Sequence, residues 1–190
     1  SVYLNPENLE WTHNTYYGDA SGGKHTSYPT LRRVGVAVVQ VKQDGELNFG
    51  AQFNLPGNIQ TVGRGELYAL HLLVNRQKLG TIALFVTDNN NVFDTYIKGR
   101  MAAMSSNNCD LWSDIYNLIN SKHLQITVRW MPSHLRELDE KGKLPNGSPE
   151  GVTWFDVNAN DNADHYAGEV AKRRNYLKEL HANRLDTCIS

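Results

Sequence analysis

Asp19 in YYGDASGG, Glu66 in TVGRGELYAL, Asp88 in LFVTDNNNV and Asp164 in NANDNADHYAG are the residues whose type and setting best suit them to chemistry. Asp19 and Asp88 follow or end β-type runs and so stand at strand ends. Glu66 and Asp164 open helical patterns that can aim them at those ends. Carboxylates a few ångströms apart in a partly desolvated cleft repel strongly and cannot all stay ionised without cations. A divalent-metal centre is the economical way to hold such a cluster.

The elements that must position these acids follow from the patterning. Asn14 to Asp19 suits a strand, Val34 to Lys42 is a β-branched run, and Leu47 to Leu55 alternates polar and apolar. Asp44-Gly45 between the last two predicts a hairpin, because both turn positions tolerate positive φ. Arg64 to Lys78 reads as a helix with Leu67, Leu70, Leu73 and Val74 on one face, ended by Gly80. Ile82 to Val86 is an apolar run too short for a helix, which predicts a buried strand parallel to its neighbours, and a helix begins from Asn89. Another helix spans Asp110 to Asn120, Leu124 to Trp130 is the last strand, and a final helix runs from Asn160, a candidate cap, to about His181. This is an α/β layer design with a mixed sheet.

At 190 residues the chain can bury one substantial core but not two. Its longest apolar stretch, Val34 to Val41, is far shorter than the ~20 residues of a spanning helix, so no membrane association is expected. A formal net charge of -1 lacks the basic excess of a general nucleic-acid binder, so any such contact must be local or come from another domain. Cys109 and Cys188 make neither a disulfide framework nor a metal-ligand spacing, which points to a reducing, intracellular setting, nucleus or cytoplasm. The chain opens at Ser1 without a secretory-type leader, as expected of an excised fragment. Between Trp130 and Asn160, Pro132, Pro145, Gly147, Pro149 and Gly151 mark a loop too long for an ordinary connector.

Taken in chain order, the motifs resemble type 1 ribonuclease H, the nuclease that cuts RNA in RNA–DNA hybrids. YGDASGG resembles that family's strand-one aspartate followed by a small residue and Ser, TVGRGELYA its Thr, Arg and Glu-Leu spacing, and VTDNNNV its Thr-Asp-Ser pattern. CDLWSDI resembles the segment opening the helix before the last strand, RWMPSHL the strand, turn and His, and NDNADHYA the acidic residue and Ala-Asp helix. The match runs from Asp19 to about Ala171. Three departures stand out. The loop after His134 is long, and Val62 and Gly63 replace two expected asparagines. Lys98 to Asn108 holds only Lys98 and Arg100 where some members carry a basic protrusion. The chain is thus more similar to the ribonuclease H domain of a retroelement reverse transcriptase than to a free-standing enzyme.

The resemblance implies a five-stranded mixed sheet, three antiparallel strands then two parallel, flanked by helices. It implies a domain over residues 14–181, with an N-terminal extension at 1–13, a loop inserted at 135–159 and a tail at 182–190. Asp19, Glu66, Asp88 and Asp164 would be the metal ligands, Asp161 being the alternative fourth acid, and His134 a mobile proton carrier or aid to product release. Hard oxygen ligands suit two Mg2+ ions, with Mn2+ able to substitute, and would hydrolyse the phosphodiester to 5′-phosphate and 3′-hydroxyl ends, Asp19 bridging. Ser21, Gly22 and Asn89 would meet the hybrid's minor groove, where 2′-hydroxyls mark RNA. Thr61 and Arg64 would hold a DNA-strand phosphate, although Arg64 reads equally well as a first-turn surface residue. The expected partners are the hybrid itself and a reverse transcriptase or other domain of the same polyprotein, the domain being a monomer. The competing readings are a catalytically silent binding or connector domain of a polyprotein and a related-fold nuclease for another nucleic acid.

Overall fold

The computed structural model describes residues 3–5, 11–12, 14–22, 32–133 and 151–189. In chain order these form β1 (Tyr3–Leu4), β2 (Asn14–Ser21), β3 (Gly35–Val41), β4 (Leu47–Asn54), α1 (Val62–Arg76), β5 (Ile82–Thr87), α2 (Asn90–Lys98), α3 (Arg100–Met104), α4 (Cys109–Ser121), β6 (Gln125–Trp130) and α5 (Trp154–Ile189). The sheet order is β1-β4-β3-β2-β5-β6. β2, β3 and β4 pair antiparallel, whereas β5 and β6 join parallel to β2 and to each other. The expected five-stranded mixed sheet is therefore present, and β1 adds a short parallel strand at the β4 edge. No helix of the described residues is long and apolar enough to cross a membrane.

Helices on both faces explain why β3 is apolar almost throughout: every residue of it is buried. Val36 and Val38 face a core shared with Tyr16, Phe85, Leu67, Leu70 and Trp112, while Val39 and Val41 face one shared with Tyr17, Val86, Val157 and Ala163. α1 and α4 thus cover one face and α5 the other. Trp112 is core, as its helical spacing predicts. Trp11, in the stretch read from sequence as an extension, also lies in the first core, stacked on Tyr16 with ring centroids 5.2 Å apart.

Several boundaries differ from expectation for local reasons. The hairpin turns through Gln43 to Gly45 with Gly45 alone at positive φ, 87°, rather than through a two-residue turn. Lys42 N–H donates to Glu46 O at 2.8 Å and Gly45 N–H to Lys42 O at 2.9 Å. α1 starts and ends two residues early: Thr61 caps it by accepting from Arg64 N–H, and Gln77 turns extended to bridge Trp11. Lys122 Nζ donates to the carbonyls of Val74, Asn75 and Gln77 at 3.1, 2.5 and 3.1 Å, satisfying the helix's last acceptors. Asn160 is not a cap, because α5 begins six residues earlier. Thr153 and Asp156 form a reciprocal cap there, with Thr153 N–H donating to Asp156 Oδ2 at 3.0 Å.

Two glycines let the helices approach the sheet. A Cβ on Gly65 would lie 2.7 Å from Val34 Cγ1 and 2.8 Å from Ala20 Cβ. A Cβ on Gly35 would lie 2.1 Å from the Ala167 carbonyl oxygen of α5. We expect Gly65→Ala to cost about 1–3 kcal/mol by overpacking. Gly35→Ala should cost more, because helix backbone cannot rotate aside. Denaturant melts of the two variants check that order.

Candidate metal centre

β2 and β5 are adjacent parallel strands, so their C-terminal ends bring Asp19 and Asp88 to the same edge of the sheet. Gly65 seats α1 against Ala20 and so sets Glu66 beside them. Ligand oxygens of Asp19, Glu66 and Asp88 all lie within 4.8 Å of one another. Asp19 and Glu66 are each only 4% exposed, and Asp88 is half-buried. Asp88 is further fixed by Trp130 Nε1, which donates to its backbone carbonyl at 3.2 Å. The three face a cleft of about 260 Å³ that is also lined by Ala20, Val62, Ser133, Asn160, Asp161 and Asp164.

Asp164 is exposed at the rim and lies outside the tight trio, yet its charge acts on Asp19. Asp161 shares the cleft, so both candidate fourth acids are brought to it. His134 lies outside the described residues; Ser133, immediately before it, lines the cleft. Ser21, Gly22, Thr61, Arg64 and Asn89 do not line it, although Thr61 and Asn89 adjoin Val62 and Asp88. Asn89 caps α2, its Oδ1 accepting from Val92 N–H at 2.9 Å. Arg64 is bound to Asp110 at 3.0 and 2.6 Å and to Asn108 at 3.2 Å, joining α1 to the start of α4. Its guanidinium holds the Asp110 carboxyl down at about 2.

Burial first, and then the charges of the neighbouring acids, push Asp19 and Glu66 well above the ordinary carboxylate range, with the two side chains within hydrogen-bonding reach of each other. Glu66 Oε2 is buried with no hydrogen-bond partner among the described residues. An all-oxygen donor set with an orphaned carboxylate oxygen fits a hard divalent cation. Because the raised carboxyls make the folded state bind more protons than the unfolded chain, metal-free stability must fall as pH rises from the ordinary carboxylate range through the raised values. We expect the melting temperature of the metal-free protein to decline toward neutral pH. Mg2+ or Mn2+ should reverse that decline, with protons released on binding. Melts with and without metal across this range, and calorimetry in two buffers, check it.

No family model and no curated protein matches the chain by sequence. Solved structures do. Prototype foamy virus protease–reverse transcriptase superposes with a TM-score of 0.55 and 20% identity over 83% of this chain, which spans 20% of that protein's length. The PFV RNase H domain in solution gives 0.55 and 15% identity over 86% of this chain and 94% of that domain. The N-terminal RNase H domain of a Mycobacterium tuberculosis protein gives 0.52 and 12% identity, covering 84% and 95%. This chain has the ribonuclease H fold. Within that fold the centre sits where the antiparallel and parallel parts of the sheet meet, flanked by α1 and α5. Asn160 as a wall of the acidic cleft is absent from the residues singled out by sequence. The signal was present, since Asn160 precedes Asp164 by four residues and so shares its helix face.

Proposed function

We propose that this chain is a divalent-metal-dependent endonuclease that hydrolyses the RNA strand of RNA–DNA hybrids, leaving 5′-phosphate and 3′-hydroxyl ends. The observation that carries the reading is the buried trio of Asp19, Glu66 and Asp88 with ligand oxygens within 4.8 Å. A domain retained only for packing gains nothing from a desolvated cluster of like charge, which weakens the metal-free fold. Asp19 would be the shared ligand, because its carboxylate lies within 4.8 Å of ligand oxygens of both Glu66 and Asp88 and lines the same cleft as Asp164. Asp164 at the rim, with Asp161 beside it, extends the donor set enough for two cations. Bound there, Mg2+ or Mn2+ supplies Lewis acidity toward the scissile phosphate and lowers the pKa of the attacking water. Burial of Asp19 and Glu66 keeps bulk water from competing for their oxygens, and His134, next to cleft-lining Ser133, carries a proton or helps product leave.

The first turns of α1 divide the acidic cleft from a second cleft of about 270 Å³: Val62 and Glu66 line one, Gly63 and Leu67 the other. Asn91, Ser105, Ser106, Asn107 and Asn108 give the second cleft amides and hydroxyls suited to phosphate and sugar contacts. A duplex straddling α1 would set one strand on the acids and the other on these polar groups. The chain spans about a fifth of foamy virus protease–reverse transcriptase, which favours a place beside a polymerase in a longer polyprotein. A panel of labelled RNA–DNA hybrid, RNA duplex, DNA duplex and single-stranded RNA tests the substrate class. Cutting confined to the hybrid's RNA strand is expected. Equal cutting of a DNA duplex would overturn it in favour of a related-fold nuclease.

A further inference from the structure

Asn160 is 6% exposed on α5 and lines the cleft with Asp19, Glu66 and Asp88, and its Oδ1 has no hydrogen-bond partner among the described residues. A buried amide oxygen without a donor is costly, and a folded chain keeps one where something outside the chain satisfies it. Asn160 Oδ1 and the likewise unpartnered Glu66 Oε2 are carried by opposite walls of this cleft, α5 and α1. A hard cation can take an amide oxygen beside carboxylates, or a water in its shell can donate to that oxygen, and a neutral oxygen adds a ligand without adding to the repulsion among the acids. Asn160 also precedes Asp164 by one helical turn and adjoins Asp161, so α5 presents all three to the same cleft.

We propose that Asn160 Oδ1 is a neutral oxygen donor in the shell of the divalent cation held by Asp19, Glu66 and Asp88. The inference rests on the metal-centre reading above and adds a position that the four-acid pattern does not contain. As a donor to the cation's shell, Asn160 raises metal affinity and costs the metal-free protein stability.

Isothermal titration of the whole chain with Mn2+ and with Mg2+, together with metal-free melting, tests this on Asn160→Ala, Asn160→Leu and Asn160→Asp. Removing the oxygen in the Ala and Leu variants is expected to weaken binding about tenfold or more, as losing a supporting ligand does at other metal sites. Asn160→Leu should melt no lower than wild type without metal, because it removes an unpaired buried acceptor and fills its space. Should it fold poorly, Asn160→Asp keeps the shape and the oxygen, and is expected to bind Mn2+ at least as tightly as wild type while melting lower without metal. Wild-type affinity in Asn160→Ala, or an Asn160→Asp that binds as weakly as Asn160→Ala, overturns the proposal and leaves the acid centre standing. A wild-type chain that binds neither ion removes both.

Discussion

Glu66→Gln is expected to cut hybrid cleavage about a thousandfold or more, an effect of ~4 kcal/mol on the barrier, while making the metal-free protein harder to melt. The two signs share one cause. Glu66 is 4% exposed, hydrogen-bonded to Asp19, and pushed well above the ordinary carboxylate range by burial and by Asp19. A Gln of the same shape carries no charge and can donate its amide hydrogens to the Asp19 carboxylate, so the repulsion disappears. It also removes an anionic oxygen from the cation's ligand set. Relief of about 1 kcal/mol would raise the melting temperature of a chain of this size by roughly 2–4 °C. Activity assays and metal-free calorimetry on one preparation read both effects. A fall in both would mark Glu66 as a packing residue.

Arg129→Met is expected to destabilise the protein by about 3 kcal/mol and to weaken metal binding without touching a ligand. Arg129 on β6 donates to Asp156 at 3.1 and 2.8 Å, and Tyr17 on β2 donates its hydroxyl to the same carboxylate. Asp156 is 4% exposed and also caps the first turn of α5, so this cluster pins to the sheet the helix that carries Asn160, Asp161 and Asp164. Burial alone would raise the Asp156 carboxyl, but Arg129, Tyr17 and the Thr153 N–H outweigh it and hold it below the ordinary range. A carboxyl depressed in the folded state contributes stability that is present above its unfolded pKa and lost as pH falls through the folded value. In Arg129→Met burial is opposed only by the Tyr17 and Thr153 donors, so the acid-side loss of stability should shrink or reverse. Chemical melts of both proteins across the acid range, with Mn2+ titrations at neutral pH, measure the two effects.

Much of this was legible in the chain because local and global preferences agree. The apolar run of β3 could only be a strand covered on both faces, and the acids at the ends of β2 and β5 met because those strands pair in parallel. What stayed hidden depends on contacts distant in sequence. The start of α5 is fixed by Thr153 and Asp156 and by Arg129 and Tyr17, yet Pro and Gly nearby made that stretch read as loop. Arg64 reads from sequence equally as a phosphate contact and as a first-turn surface residue, and its tie to Asp110, forty-six positions on, is not visible there. Trp11 is core because Gln77 leaves its helix to pair with it. Asn160 suits a helix cap by residue type, and its spacing from Asp164 becomes informative only once α5 is known to begin before it, at Trp154.

Cleavage of an end-labelled RNA–DNA hybrid with Mg2+, with Mn2+ and with EDTA, beside Asp88→Asn, bears most directly on the metal centre. Cutting of the RNA strand alone, to 5′-phosphate and 3′-hydroxyl ends, is expected with either metal, none with EDTA, and a loss in Asp88→Asn. Cutting that survives EDTA or the Asp88 substitution would contradict it, as would an intact hybrid under both metals, which would leave a ribonuclease H fold without hybrid cleavage of its own.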